Sequence, residues 1–170
     1  MFVVAASTVA ACQSSGTARE PTRTITPPSP RRTATTSEDV VLAAYRDLYP
    51  AGQRAERAYP AERKAILEQV ATRPLLSRML RGIAALRATH RVTWGQPEHH
   101  PFDVRIKGDH ATLHDCQDAR KGGQADDRTG KRLTYGTSRI HLVATLAKGT
   151  DGAWRVSKVE QVKEPCSPTE

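Results

Sequence analysis

A chain of 170 residues has room for one domain of ordinary size together with extensions. The formal net charge of +8 and an isoelectric point near 9.8 favour anionic partners, such as membrane headgroups or anionic polymers. Only 5% of the residues are aromatic, so the sequence lacks the stacking platforms on which proteins hold nucleic-acid bases. We therefore expect no nucleic-acid partner.

The N-terminal segment, residues 1–12, ends in a cysteine. Residues 2–11 (FVVAASTVAA) are too few to span a bilayer but match the apolar region of a secretory signal. The ending Val-Ala-Ala-Cys12 resembles the lipobox of bacterial lipoproteins. That resemblance implies that Cys12 is acylated and becomes the first residue of the mature chain. The opening Met-Phe-Val lacks the usual Lys or Arg, so we expect a start codon further upstream. The alternative is an apolar N-terminus with an incidental cysteine.

The segment that follows, residues 13–36, has the composition of a tether. It consists almost entirely of Ser, Thr, Pro, Arg, Gly, Ala and Gln and has no hydrophobic repeat. Such a chain cannot bury enough apolar surface to offset its conformational entropy. A flexible tether of this length holds a domain about 25–30 Å from its anchor. The sequence therefore predicts one folded domain over residues 37–170, outside the cytoplasm on the outer face of the cell membrane or, alternatively, secreted.

The cysteine count supports a disulfide in that domain. If Cys12 carries a lipid, Cys116 and Cys166 remain without a third competitor. Disulfides persist outside the cytoplasm, and closing this 50-residue loop stabilises a fold by about 4 kcal/mol. Metal or redox use is the alternative. It is disfavoured because the chain has no CxxC motif and only His114 stands near either cysteine.

The first half of the domain shows helical periodicity. Thr36 with Asp39 three residues later suits a helix N-terminus, and an apolar stripe at helical spacing follows. Pro50 and Gly52 are expected to interrupt this helix, with residues 54–60 as a segment that can resume it before Pro60. A second, short helix is predicted near Pro60, and the third and clearest begins at Pro74.

After His90 the apolar period changes to two, which is typical of strands. A strand ends at Gly95, and residues 102–116 read as a hairpin that turns at Gly108-Asp109. Two further strands flank a turn at residues 149–152, and the slip in parity in the last one predicts a bulge near Ser157. Residues 118–135 are polar and Gly-rich and are expected to form a long loop.

Helices followed by antiparallel strands indicate an α+β fold: three N-terminal helices packed on a bent antiparallel sheet of four to five strands. The phrases VLAAYRDLY, ATLHDCQD and DGAWRVSKVEQVKEPC, with the helix at 74–87, resemble small actinobacterial lipoproteins and secreted proteins that carry a nuclear transport factor 2-like (SnoaL-like) cone domain. The resemblance covers residues 37–166. It implies a cone-shaped fold and export, in a family largely without assigned function.

Asp115 is the candidate catalytic residue. Ala111 and Leu113 mark the core face of their strand, and Asp115 and Gln117 share that parity. The cone fold hosts isomerases and dehydratases with a carboxylate inside the cone, and an Asp in an apolar pocket can act as a general base. The alternative is a structural Asp that accepts hydrogen bonds from backbone amides or pairs with an Arg.

The histidines do not suggest a metal site. His110 and His114 lie about 13 Å apart along a strand, too far to ligate one ion, and His99-His100 precede a proline in a loop. The sequence lacks phosphate-loop, EF-hand and nucleophile-elbow motifs. We therefore expect no metal and no cofactor.

These observations favour a membrane-anchored lipoprotein that acts as a non-catalytic binding or interaction module. Its candidate partners are a small apolar ligand, an anionic envelope polymer or another protein. The alternative is a SnoaL-like isomerase or hydrolyase that uses Asp115 as its general base.

Overall fold

The computed structural model describes residues 36–166, so the predictions for Cys12, the signal segment 1–12 and residues 13–35 of the tether lie outside the described residues. The described part contains three helices and six strands. In chain order these are α1 (Ser37–Arg57), α2 (Arg63–Glu68), α3 (Leu75–Ala88), β1 (Arg91–Gly95), β2 (Pro101–Lys107), β3 (His110–Gln117), β4 (Gly122–Asp126), β5 (Ile140–Lys148) and β6 (Trp154–Gln161).

Helix α1 begins where its capping residues predict but does not end where proline predicts. The Thr36 hydroxyl accepts from the Asp39 amide at 3.1 Å, and the Asp39 carboxylate accepts from the Thr36 amide at 2.9 Å. The prediction that Pro50 and Gly52 interrupt the helix is wrong, since α1 continues through both residues to Arg57. A proline removes one backbone hydrogen bond. Burial of Leu48 and Ala51 on either side offsets that loss.

The other two helices follow the predicted pattern. Helix α2 begins at Arg63, three residues after Pro60, and α3 begins directly after Pro74. The inward face of α3 includes the buried side chains of Leu76 and Ile83. Within residues 36–166, no helix has the length and apolar character needed to cross a membrane.

The strands form two antiparallel sheets instead of the single sheet of four to five strands that we expected. The larger sheet has the order β2-β3-β5-β6, and a separate two-stranded ribbon pairs β1 with β4. Strand β4 lies inside the segment 118–135, which was wrongly predicted to be a loop throughout. Its sequence, GGQAD, has no β-branched or aromatic residue, so only its pairing with β1 reveals it as a strand.

The hairpin and bulge predictions are confirmed. Strands β2 and β3 flank a turn in which Gly108 has a φ of +57°, a conformation that favours glycine. Thr145 pairs with Lys158 and Leu146 with Val156, so Ser157 is the extra residue of a bulge. The Ser157 hydroxyl donates to the Thr145 carbonyl at 3.1 Å.

The core lies between the helices and one face of the larger sheet, which makes the fold α+β. Alternate residues of the inner strands supply the sheet side of the core, and α1, α2 and α3 supply the helical side. The buried cluster includes Val41, Leu67, Leu113, Leu146 and Val156, each 0% exposed.

The predicted disulfide between Cys116 and Cys166 is present, with an S–S distance of 2.00 Å and a Cα–Cα distance of 5.5 Å. Cys116 lies on β3, an inner strand, so the bond fixes the segment after β6 across the face opposite the helices. On that segment the Glu164 carbonyl also lies 3.0 Å from Nδ1 of His141.

Candidate functional site

A cavity of about 520 Å³ opens between α1, α3 and the β1–β4 ribbon. Its lining is mostly apolar, and the principal apolar side chains come from α1, α3 and β6. They are Leu48, Leu75, Met79, Ile83, Leu86 and Val159. A cavity of this size, with few polar groups, has the character of a small-molecule site.

Glycines create much of this space. Six of the chain's 11 glycines line the cavity: Gly52, Gly82, Gly95, Gly122, Gly123 and Gly136. Gly82 lies in the middle of α3, where glycine costs about 0.5–1 kcal/mol relative to alanine. A β-carbon at Gly82 would meet no atom within 4 Å. The helix could therefore carry a side chain here, and its absence keeps the cavity open.

Other glycines permit close backbone approach. Gly95 has a φ of +67°, and a β-carbon there would collide with the Lys121 carbonyl. A β-carbon at Gly123 would collide with the Thr134 carbonyl. The first contact brings the end of β1 against the start of β4, and the second brings β4 against the loop that follows it.

Asp115 lies at the centre of a buried polar network beside the cavity. It is 0% exposed and faces the core, as the strand parity predicted. Its Oδ2 accepts from the Tyr45 hydroxyl at 2.8 Å and lies 2.8 Å from Nδ1 of His99. Its Oδ1 accepts from the His100 amide at 2.7 Å. Asp115 itself does not line the cavity.

Tyr49 and Gln117 connect this network to the cavity, since both of them line it. The Tyr49 hydroxyl lies 2.9 Å from the Tyr45 hydroxyl, and Nε2 of Gln117 donates to Tyr49 at 2.9 Å. The Tyr49 ring also packs on His99, with 4.2 Å between ring centroids. A continuous chain of hydrogen bonds therefore runs from Asp115 to the cavity wall.

The phenols of Tyr45 and Tyr49 are held neutral. Burial raises the pKa of Tyr45, and the adjacent Tyr49 and Asp115 raise it further. Burial also raises the pKa of Tyr49, against the opposing effect of its hydrogen bonds with Tyr45 and Gln117. Each phenol thus keeps one proton to donate.

A second buried acid lies at the cavity. Glu56 of α1 is 4% exposed and lines the cavity, and its carboxylate accepts from both the amide and the hydroxyl of Thr93 on β1. Next to it, Gln53 donates to the Gly95 carbonyl and accepts from Gln96 at 3.1 Å. These bonds attach the ribbon to α1.

The two tryptophans differ in environment. Trp154 is buried in the core, at 8% exposure. Trp94 is only half-buried and lines the cavity. The Arg132 guanidinium lies 4.0 Å from the centre of the Trp94 ring, and Tyr135 packs edge-on against it at 5.2 Å. Neither Arg132 nor Tyr135 lines the cavity itself.

The histidines do not converge on one site. His99 joins the Asp115 network, and its Nε2 is buried without a hydrogen-bond partner among residues 36–166. His114 lies on the opposite sheet face, where its Nδ1 is 2.9 Å from Nε2 of His141. His110 is exposed. Within residues 36–166, no three His, Cys, Asp or Glu residues are grouped closely enough to hold a metal ion.

Sequence reasoning singled out Asp115 but missed the tyrosines that contact it. The signal was available: Tyr45 and Tyr49 are four residues apart on α1, and Asp115 and Gln117 are two apart on β3. Each spacing places both members of the pair on one face of its element. Two polar pairs on core-facing positions predict that they bond to each other.

Comparisons with solved structures show the fold alone. The structure is similar to the intermembrane space region of the chloroplast protein ARC6, with a TM-score of 0.55 and 12% identity, over 76% of this chain and 98% of the other.

Two weaker likenesses are to Kfla4162 protein from Kribbella flavida and to a candidate ketosteroid isomerase from Shewanella frigidimarina. The first has a TM-score of 0.48 and 16% identity, over 72% of this chain and 87% of the other. The second has a TM-score of 0.33 and 14% identity, over 66% and 94%.

No family model and no curated protein matches the chain. The resemblance to actinobacterial lipoproteins therefore stays an expectation.

Proposed function

We propose that this protein is a binding module whose cavity takes a small, predominantly apolar molecule. The observation that carries the proposal is Gly82. A mid-helix glycine lowers helix stability, and no close backbone contact requires a glycine at this position. Its effect is to leave space at the cavity wall. The apolar lining then provides the binding energy by removing the ligand's surface from water.

The proposed site of action is outside the cytoplasm. The Cys116–Cys166 disulfide fits an oxidising compartment. Acylation of Cys12 would then place the domain at the outer face of the membrane, at the end of the tether 13–36. The order of three helices before the strands supports the cone architecture of the nuclear transport factor 2-like family as the domain's frame.

Filling the cavity tests the binding function. Gly82→Phe directs an aromatic ring into the space, and we expect it to weaken binding of the neutral fluorescent probe N-phenyl-1-naphthylamine by about tenfold or more. Fluorescence titration of the purified protein measures the effect. Gly82→Ala is the matched control: it should keep probe binding and raise the free energy of unfolding by about 0.5–1 kcal/mol. Equal probe affinity in Gly82→Phe and wild type would contradict the proposal.

The lipid anchor has its own test. Cells that express the full chain are fed an alkyne analogue of palmitate, and the label on the purified protein is compared with the label on Cys12→Ala. We expect label on the wild type and none on the variant, because the lipobox cysteine is the acylated residue. Equal labelling of the two proteins would rule out this anchor.

The alternative function, an isomerase or hydrolyase with Asp115 as general base, draws on the hydrogen-bond chain from Asp115 to Tyr49. A general base has to reach its proton directly or through one water. Here Asp115 does not line the cavity, and Tyr45 and Tyr49 lie between its carboxylate and the cavity wall. We therefore place binding ahead of catalysis. If the wild type turned over a substrate and a folded Asp115→Asn protein did not, the enzyme function would be favoured over binding alone.

A further inference from the structure

The buried network dictates where its protons lie. The Tyr45 hydroxyl donates to Oδ2 of Asp115. A phenol has a single proton, so the Tyr45 oxygen can only accept in its contact with Tyr49. The Tyr49 proton therefore points inward, toward Tyr45, across the 2.9 Å contact.

This arrangement makes the Tyr49 hydroxyl an acceptor toward the cavity. Its only proton is used, and Nε2 of Gln117 donates to it. The remaining hydrogen-bonding capacity of the Tyr49 oxygen is a lone pair. The Gln117 amide oxygen, which has no hydrogen-bond partner among residues 36–166, is a second acceptor on the same wall.

The charge of the cavity differs from that of the whole protein. The chain carries a net +8, yet the residues of 36–166 that line the cavity include no Lys, Arg or His. Glu56 is the acid that does line it, and Asp115 lies behind Tyr45 and Tyr49. Arg132 stacks on Trp94 and is not part of the lining. An anionic group placed inside would face the Glu56 carboxylate with no cationic side chain on the cavity lining to compensate it.

From these features we infer that the ligand is an uncharged, predominantly apolar molecule that presents a hydroxyl donor to Tyr49, and that Asp115 sets this preference through Tyr45. The inference rests on the proposed binding function. Asp115 and Tyr45 act here as positioning residues, because neither has to touch the ligand. Their effect is to fix the direction of the one proton that Tyr49 can offer.

A matched set of probes tests this preference. Undecan-2-ol, undecan-2-one and undecanoate have chains of equal length and differ in the group they present. Each is used to displace N-phenyl-1-naphthylamine from the full-length protein. We expect the alcohol to bind about five- to tenfold more tightly than the ketone, since it supplies the donor that Tyr49 requires. Undecanoate should bind most weakly.

Asp115→Asn should reverse the direction of the hydrogen bonds that run from Tyr49 through Tyr45 to residue 115. The Asn oxygen can still accept from the His100 amide, and its NH2 group can donate to Tyr45 and to Nδ1 of His99. Tyr45 then donates to Tyr49, whose proton is released toward the cavity. We expect the preference for the alcohol to disappear and the ketone to gain affinity. A purely structural role for Asp115 would weaken all three probes together.

Two further variants complete the experiment. Tyr45→Phe also frees the Tyr49 proton and should shift the preference in the same direction, so the inference stays testable if Asp115→Asn does not fold. Asp109→Asn, in the exposed β2–β3 turn, is the matched control and should leave the preference unchanged. An unchanged preference in both Asp115→Asn and Tyr45→Phe would overturn the inference that Asp115 sets the preference through Tyr45.

Failure of this inference is distinct from failure of the binding function. If the ketone or the carboxylate binds the wild type as tightly as the alcohol, the hydroxyl preference is overturned. The binding function still stands in that case if Gly82→Phe weakens binding of N-phenyl-1-naphthylamine. If Gly82→Phe leaves binding of N-phenyl-1-naphthylamine unchanged, the binding function fails, and the hydroxyl preference fails with it.

Discussion

Removing the Cys116–Cys166 disulfide lowers the free energy of unfolding by about 4 kcal/mol, because the unfolded chain regains the conformational entropy that the cross-link withholds from it. The bond closes a segment of 50 residues between β3 and the region after β6. Its loss is large because a domain of this size is stable by only about 5–15 kcal/mol in total. The double variant Cys116→Ala/Cys166→Ala, compared with the oxidised wild type in urea unfolding, measures the difference.

The reduced wild type is the control for that experiment. It should unfold at the same urea concentration as the double variant, because both lack only the cross-link. Probe binding should persist in both where they remain folded, since neither cysteine lines the cavity. A stability difference below about 1 kcal/mol between the oxidised wild type and the double variant would contradict this role.

Asp115→Ala should lower the free energy of unfolding by roughly 3–5 kcal/mol. The substitution removes the acceptor of the Tyr45 hydroxyl and the His100 amide, together with the partner of Nδ1 of His99. A buried donor left without a partner costs about 1–3 kcal/mol. Chemical unfolding at neutral pH, followed by circular dichroism, measures the loss.

Two comparisons identify the cause of that loss. Asp115→Asn keeps hydrogen-bonding groups at the same positions and should cost clearly less than the alanine variant. Asp109→Ala, in an exposed turn, should change stability by no more than about 0.5 kcal/mol. If Asp115→Ala were as stable as Asp109→Ala, the buried network would have no structural importance.

Features encoded by local spacing could be predicted from the sequence. The Thr36–Asp39 capping pair located the start of α1, and the parity slip in β6 located the bulge at Ser157. The alternation along β3 placed Asp115 on the core face. Each of these depends on a few neighbouring residues, whose geometry is set by the periods of helix and strand.

Features that depend on distant neighbours could not be predicted. Pro50 is tolerated within α1 because the surrounding helix packs into the core, and β4 exists because β1 pairs with it. The cavity arises from glycines on elements far apart in the chain, among them Gly52, Gly82 and Gly123. No single stretch of sequence shows that these glycines face one another.

The most direct measurement of the binding function is a crystal structure of the protein soaked with 10-bromodecan-1-ol, with the bromine located by anomalous scattering. We predict a bromine peak inside the cavity and the ligand hydroxyl within hydrogen-bond distance of the Tyr49 oxygen. A soaked crystal with bromine only on the outer surface, or with an empty cavity at saturating alcohol, would contradict the assignment of this cavity as a ligand site.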